Sequence, residues 1–325
     1  MQEKVENQTK ASLSLFQAGW VYFTAAIGMI VLPFLLLPVQ YLPGGDYLTQ
    51  FLIYGLAIAL PVFLFAYLGV KAPLRQTLQF GGIRIGELLL VAGMAVVGYA
   101  VVIFFNFLWS LLLDAIGYPA MPEVMPQVSG GLDLAVNLGM VALLPGILEE
   151  LLMRGGIMPA FRVCGKWHAI LITAVLFGLL HMNLRALLYA TILGGIMGYV
   201  TYRTGSVMAG MVYHFLNNAI GVLLSAAADG LQAAAGGAVQ QAQTLLELPV
   251  DELLASGLAI GQLAMAATGI FIVLLYNFNR ITAQKAALAQ AQPQPEKPRG
   301  WTWLIPFILA VVACILVMLL SLIGG

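Results

Sequence analysis

The sequence predicts an all-α protein, a polytopic transmembrane bundle of about nine helices, and three observations carry that expectation. Of 325 residues, 61% are hydrophobic and only 9% charged, whereas a soluble domain carries about a quarter charged residues. Apolar runs of the roughly 20 residues needed to cross a bilayer recur along the whole chain. None alternates with a period of two, and lipid admits only helices or closed barrels. The chain therefore reads as one integral membrane domain over residues 1–325.

The elements follow in order. The first twenty residues, "MQEKVENQTKASLSLFQAGW", are polar and amphipathic rather than signal-like, with Glu3 and Glu6 beside the lysines. Spans are expected near 20–42, 51–70, 88–113, 134–162, 167–182, 185–203, 206–226, 256–277 and 303–323, and a count of eight or ten fits the same runs. Between the second and third, residues 71–87 form a basic, Gly-containing loop. The segment 227–255 carries no positive charge and is expected outside, with a short helix along the surface. Residues 279–302 hold the Pro/Gln-rich "QAQPQPEKPRG", expected to be an extended or disordered linker, which makes the 303–323 span an appendage. In "GGIMG", Gly194 and Gly198 lie four apart on one helix face, a spacing that lets backbones approach in lipid.

The net charge is zero, which suggests no nucleic-acid partner; the expected surroundings are a lipid bilayer. Thirteen of the fourteen Lys and Arg residues fall on, or toward, one side of the expected bundle, and Arg185 is the exception. The positive-inside rule makes that side cytoplasmic, with the N-terminus inside and the C-terminus outside, which agrees with an odd number of spans. Cys164 and Cys314 are too far apart and too few for a disulfide framework or a metal cluster, and read as small buried apolar residues.

Against this background "GILEELLMRGG", residues 146–156, is anomalous: it puts Glu149, Glu150 and Arg154 inside an apolar run. A charge at the bilayer centre costs about 2.5–3.5 kcal/mol on insertion scales, so such residues face the protein interior and usually have a task. Glu150 and Arg154 stand in the i, i+4 order that favours an ion pair. Glu149 points about 100° away and can face something else. His181 and His214 are the other buried ionisable candidates, whereas His168, after Lys166 and Trp167, belongs at an interface.

These residues can meet. Glu149 lies sixteen residues before Gly165 and His181 sixteen after it. At a rise of about 1.5 Å per residue, both sit roughly 24 Å from the turn of an antiparallel hairpin. His214 lies nine residues beyond Gly205, the next turn, with Asn218 one helical turn deeper. A glutamate and a histidine can polarise a water, while a second histidine and an asparagine can donate to a developing oxyanion. That set suits amide hydrolysis without a covalent intermediate. The competing local reading is an ion-pair network that only fixes helix packing.

"EELLMR", "FGLLH" and "HFLNN" together resemble the Glu-Glu-x-x-x-Arg, Phe-x-x-x-His and His-x-x-x-Asn motifs of the CAAX-prenyl protease 2 family. Its bacterial members are the lysostaphin-resistance-protein-A-like (CPBP, formerly ABI) intramembrane proteases. The motifs occur in the family's order, and the resemblance covers about 134–226. It implies a glutamate-dependent endopeptidase that acts on a membrane-associated protein or peptide, with no cofactor and no metal, in a bacterial cytoplasmic membrane. Glu149 with His181 would activate the water, His214 and Asn218 would form the oxyanion hole, and Glu150 and Arg154 would support the site. Asn217 competes with Asn218 for its role. Two alternatives stay open: a zinc protease built on Glu149, His181 and His214, and a non-catalytic immunity factor, scaffold or transporter.

Overall fold

A computed structural model describes residues 12–70, 72–119, 128, 130–234, 244–291, 298 and 300–322. The first eleven residues fall outside the described residues, as do Lys71, residues 235–243, and residues 292–297 and 299 of the Pro/Gln-rich linker. Among the described residues the fold is helical, with an isolated bridge between Phe80 and Ser206 in place of any sheet. Among the described residues, eight helices are long and apolar enough to cross a membrane, and a ninth is apolar but shorter. In chain order they are α1 Leu15–Leu35, α2 Gly45–Gly69, α3 Ile85–Ala115, α4 Gly131–Cys164, α5 Lys166–Leu180, α6 Leu184–Thr204, α7 Val207–Ala234, α8 Val250–Ile281 and α9 Ile305–Leu320.

Local chemistry sets the boundaries. α1 begins five residues before its expected start because Ser14 and Gln17 form a reciprocal capping box. The α5–α6 hairpin turns through Met182, whose φ is +49°, and Asn183 caps α6 by accepting from the Arg185 N–H. Gly205, at φ +68°, ends α6 in the left-handed conformation that glycine adopts most readily. The 227–255 segment is more helical than expected: α7 runs on to Ala234, α8 starts at Val250, and a 3₁₀ turn, Leu245–Glu247, precedes it. The start of the 279–302 linker is also helical, over Ala283–Ala291.

Among the described residues, three π turns interrupt the helices: Tyr54–Ala59 in α2, and Leu138–Leu143 and Leu151–Ile157 in α4. A proline follows each by two residues, namely Pro61, Pro145 and Pro159. A helical proline lacks its N–H, and its ring collides with the carbonyl four residues back. A wider turn ahead of the proline relieves that collision. Glu149 and Glu150 thus stand on a short α-helical piece between two π turns.

α3 packs along α8 and α7, α5 along α6, and α1 along α9. Gly194 and Gly198 do what their spacing suggests: an added Cβ at Gly194 would lie 3.0 Å from the Ala174 Cα, and one at Gly198 3.4 Å from Ile170. The ninth span seats Phe307, Ala310 and Cys314 in the core against α1, with Phe307 and Tyr22 rings 6.0 Å apart. Large apolar side chains such as Leu56, Val96, Leu171, Met265 and Leu316 remain exposed along the spans. A membrane protein presents such a surface to lipid tails.

Basic residues gather at one end of the bundle. Lys285 bonds to the Gly82 carbonyl at 2.8 Å and to Glu87 at 2.6 Å. Arg203 bonds to Thr282 at 3.0 Å, and Lys166 lies over the Tyr199 and Tyr202 rings. Arg185, at the opposite end, is neutralised by Asp114 at 2.7 Å.

Candidate active site

The three helices expected to converge do so. Glu149 on α4, His181 just beyond α5, and His214, Asn217 and Asn218 on α7 line one cavity of about 550 Å³. α2, α3 and α6 complete its wall through Tyr54, Asn106 and Tyr189 among others.

The ion pair read from the i, i+4 spacing is present and wholly buried: Arg154 Nη1 donates to Glu150 Oε1 at 2.6 Å. Its Nη2 donates to the Gly194 carbonyl at 2.7 Å, and its guanidinium lies 4.8 Å from the Phe177 ring centre. Glu150 has a second duty that the spacing did not reveal. The same Oε1 lies 3.3 Å from His214 Nδ1, so Glu150 bridges the arginine and the histidine. A carboxylate can only accept, so His214 Nδ1 carries the proton and Nε2 faces the cavity. The close approach of α7 depends on Gly210, where a Cβ would fall 2.3 Å from Glu150 Oε2.

Glu149 points away from that pair. Its Oε1 accepts the Tyr54 hydroxyl at 2.8 Å, while its Oε2 is buried without a partner and lies 3.9 Å from His214 Nε2. That separation exceeds hydrogen-bond reach, so both atoms face the same volume without bonding each other. His181 donates from Nδ1 to the Phe177 carbonyl at 2.9 Å, which leaves Nε2 as an acceptor. Phe177 holds both imidazoles edge-on, with ring centres 4.9 Å from His181 and 5.7 Å from His214.

Asn218 Nδ2 donates to the Val141 carbonyl at 3.2 Å. Val141 lies four residues before Pro145, at the carbonyl that an N–H at 145 would take in an α-helix. The proline thus leaves an acceptor for the asparagine. Asn217 reaches the Asn218 Oδ1 at 3.5 Å, and its own Oδ1 is buried without a partner. Both asparagines line the cavity, so their side chains remain rivals. His168 is exposed at the start of α5, away from the site, and Cys164 and Cys314 are both free thiols. Among the described residues, no three His, Cys, Asp or Glu side chains are grouped so as to hold a metal ion.

Tyr54 is the site residue that sequence reasoning missed. Its span bears none of the three motifs, and a tyrosine in an apolar run looks the same whether it faces a carboxylate or, like Tyr67, lies 74% exposed.

Residues 131–220 match the family described as type II CAAX prenyl endopeptidase Rce1-like. The matched stretch contains all three motifs and agrees with the resemblance they carry. It supports an intramembrane CAAX-type endopeptidase in general terms, and with the apolar helices it makes the chain an integral membrane protein. No curated protein and no solved structure matches the chain.

Proposed function

We propose that the chain hydrolyses a peptide bond of a membrane-associated protein or peptide by means of a water activated by Glu149 and His181. The core of this activity is the segment 134–226, and the protein sits in a bacterial cytoplasmic membrane with its N-terminus inside. The observation that carries the reading is the asymmetric Glu149 carboxylate. Tyr54 fixes one oxygen, and the other is buried, unpartnered and turned into a cavity shared with two histidines.

In the first step Glu149 Oε2 takes a proton from water, His181 Nε2 accepts from the same water, and the water oxygen bonds to the scissile carbonyl carbon. The carbonyl becomes an oxyanion, which accepts from His214 Nε2–H and Asn218. His214 donates from Nε2 in this step while its Nδ1 stays directed at the Glu150 carboxylate. Arg154 in turn holds the Glu150 carboxylate in place at 2.6 Å. The Glu149 carboxylic acid then gives its proton to the leaving nitrogen as the C–N bond breaks, which restores the carboxylate. No metal and no cofactor takes part.

The test compares the membrane proteomes of cells carrying the wild-type chain and Glu149→Gln. New peptide termini that depend on the carboxylate are expected, with equal amounts of folded protein. Identical sets of termini, with both proteins folded, would refute hydrolysis and favour the packing reading of the charged cluster.

A further inference from the structure

Glu150 is held by one of its two oxygens. Arg154 Nη1 donates to Oε1 at 2.6 Å, and His214 Nδ1 meets the same atom at 3.3 Å. The other oxygen, Oε2, is buried and has no hydrogen-bond partner among the described residues. The arginine does not cover it: Nη2 turns to the Gly194 carbonyl, and Nε is itself buried and unpartnered. Leaving a buried carboxylate oxygen without a donor costs more than leaving a neutral acceptor so.

Thr201, on α6, carries a second such group. A threonine inside a helix commonly gives its hydroxyl proton to the carbonyl one turn back. Thr173, Thr204, Thr268 and Thr282 do so here, each to the residue four before it, at 2.6–2.8 Å. Thr201 is wholly buried, yet its Oγ1 makes no such bond and has no other partner among the described residues.

The two orphaned oxygens share one place. A Cβ added at Gly210 of α7 would lie 2.3 Å from Glu150 Oε2 and 2.8 Å from Thr201 Oγ1. Helices α4, α6 and α7 thus meet with a carboxylate oxygen and an uncommitted hydroxyl against the same glycine. The oxygens do not bond each other, and their separation cannot exceed the sum of those two distances. One water closes such a gap with two hydrogen bonds of about 2.8 Å each.

We propose that Thr201 is a positioning residue of the site, its hydroxyl holding Glu150 Oε2 through a single buried water. The hydroxyl donates to the water and the water donates to Oε2, so the carboxylate only accepts. Buried waters of this kind serve polar groups that the protein itself leaves unbonded. With both oxygens anchored, the carboxylate cannot turn about its terminal bond, and Oε1 stays on His214 Nδ1. The imidazole then keeps Nε2 aimed at the place where the oxyanion forms. The inference rests on the hydrolytic reading above and adds to it a residue outside the three motifs and outside the lining of the cavity.

The test uses the purified wild-type protein, Thr201→Val and Thr201→Ser, with dye-labelled casein as an unstructured probe. Thr201→Val keeps the shape and removes the hydroxyl. It should lower kcat about tenfold, the rate equivalent of one hydrogen bond to a charged group, while KM holds. Thr201→Ser keeps the hydroxyl and should run close to the wild-type rate. Unchanged kcat in Thr201→Val, or a serine variant slower than the valine one, overturns the proposal in favour of packing alone. Structures of the wild type and Thr201→Val that resolve ordered water give the second readout. A water within hydrogen-bond reach of Glu150 Oε2 and Thr201 Oγ1 is expected in the wild type and not in Thr201→Val; a wild-type Oε2 without one overturns the proposal. The structures read this water whether or not the chain cleaves anything, so casein left intact by the wild type counts against hydrolysis and leaves the bridge to Glu150 decided.

Discussion

The Tyr54 hydroxyl donates to Oε1 of Glu149 at 2.8 Å, joining α2 to the carboxylate on α4 across ninety-five residues of sequence. The bond gives the two carboxylate oxygens different surroundings, because Oε2 has no partner. A hydrogen bond to a charged group contributes about 1.5–3 kcal/mol. Tyr54→Phe should therefore lower kcat about ten- to a hundredfold with little change in KM, since the freed carboxylate can rotate out of line. Steady-state kinetics on the purified variant check this, and unchanged kcat would remove Tyr54 from the site.

Asn218→Ala should leave weak activity, reduced about 10²–10³-fold, the usual cost of one oxyanion donor. Asn217→Ala should matter less, although Asn217 is the more buried of the two. Single-turnover cleavage by the two variants decides the order. The reverse order would assign the oxyanion contact to Asn217.

Arg154→Ala should act through folding. It leaves the Glu150 carboxylate buried with only His214 as a partner, and breaking a buried ion pair typically costs about 3–5 kcal/mol. Low yield and a lowered Tm in detergent are the expected signature, together with loss of cleavage. Arg154→Lys should not rescue it, because one ammonium cannot reproduce the fork that reaches both Glu150 and the Gly194 carbonyl.

Cleavage should persist in strong chelators. Zinc found in stoichiometric amount by elemental analysis, removed together with activity and restored with it, would replace the proposed water activation with metal chemistry.

The spans were legible because lipid permits so few solutions, and the convergence of Glu149, His181 and His214 was legible because helical rise is constant. The Glu150–Arg154 pair followed from spacing alone. What sequence could not deliver was lateral arrangement. Depth allowed the three helices to share one pocket without revealing that Glu150 takes the His214 Nδ1 while Glu149 stands 3.9 Å from its Nε2. Tyr54 was hidden for the same reason. The π turns left a trace in Pro61, Pro145 and Pro159, yet a proline within an apolar span signals a disturbed helix and not which side chain the disturbance turns inward.

α5 has fifteen residues and so rises only about 22 Å, against a hydrocarbon layer about 30 Å thick. Trp167, Leu171 and Val175 lie exposed along it. A span this short is accommodated by a dip in the lipid around it. Acyl-chain length then becomes a control variable for the protein. In vesicles of short-chain lipid the dip costs less and cleavage should be fastest; in long-chain lipid it should slow, with no change to any residue of the site.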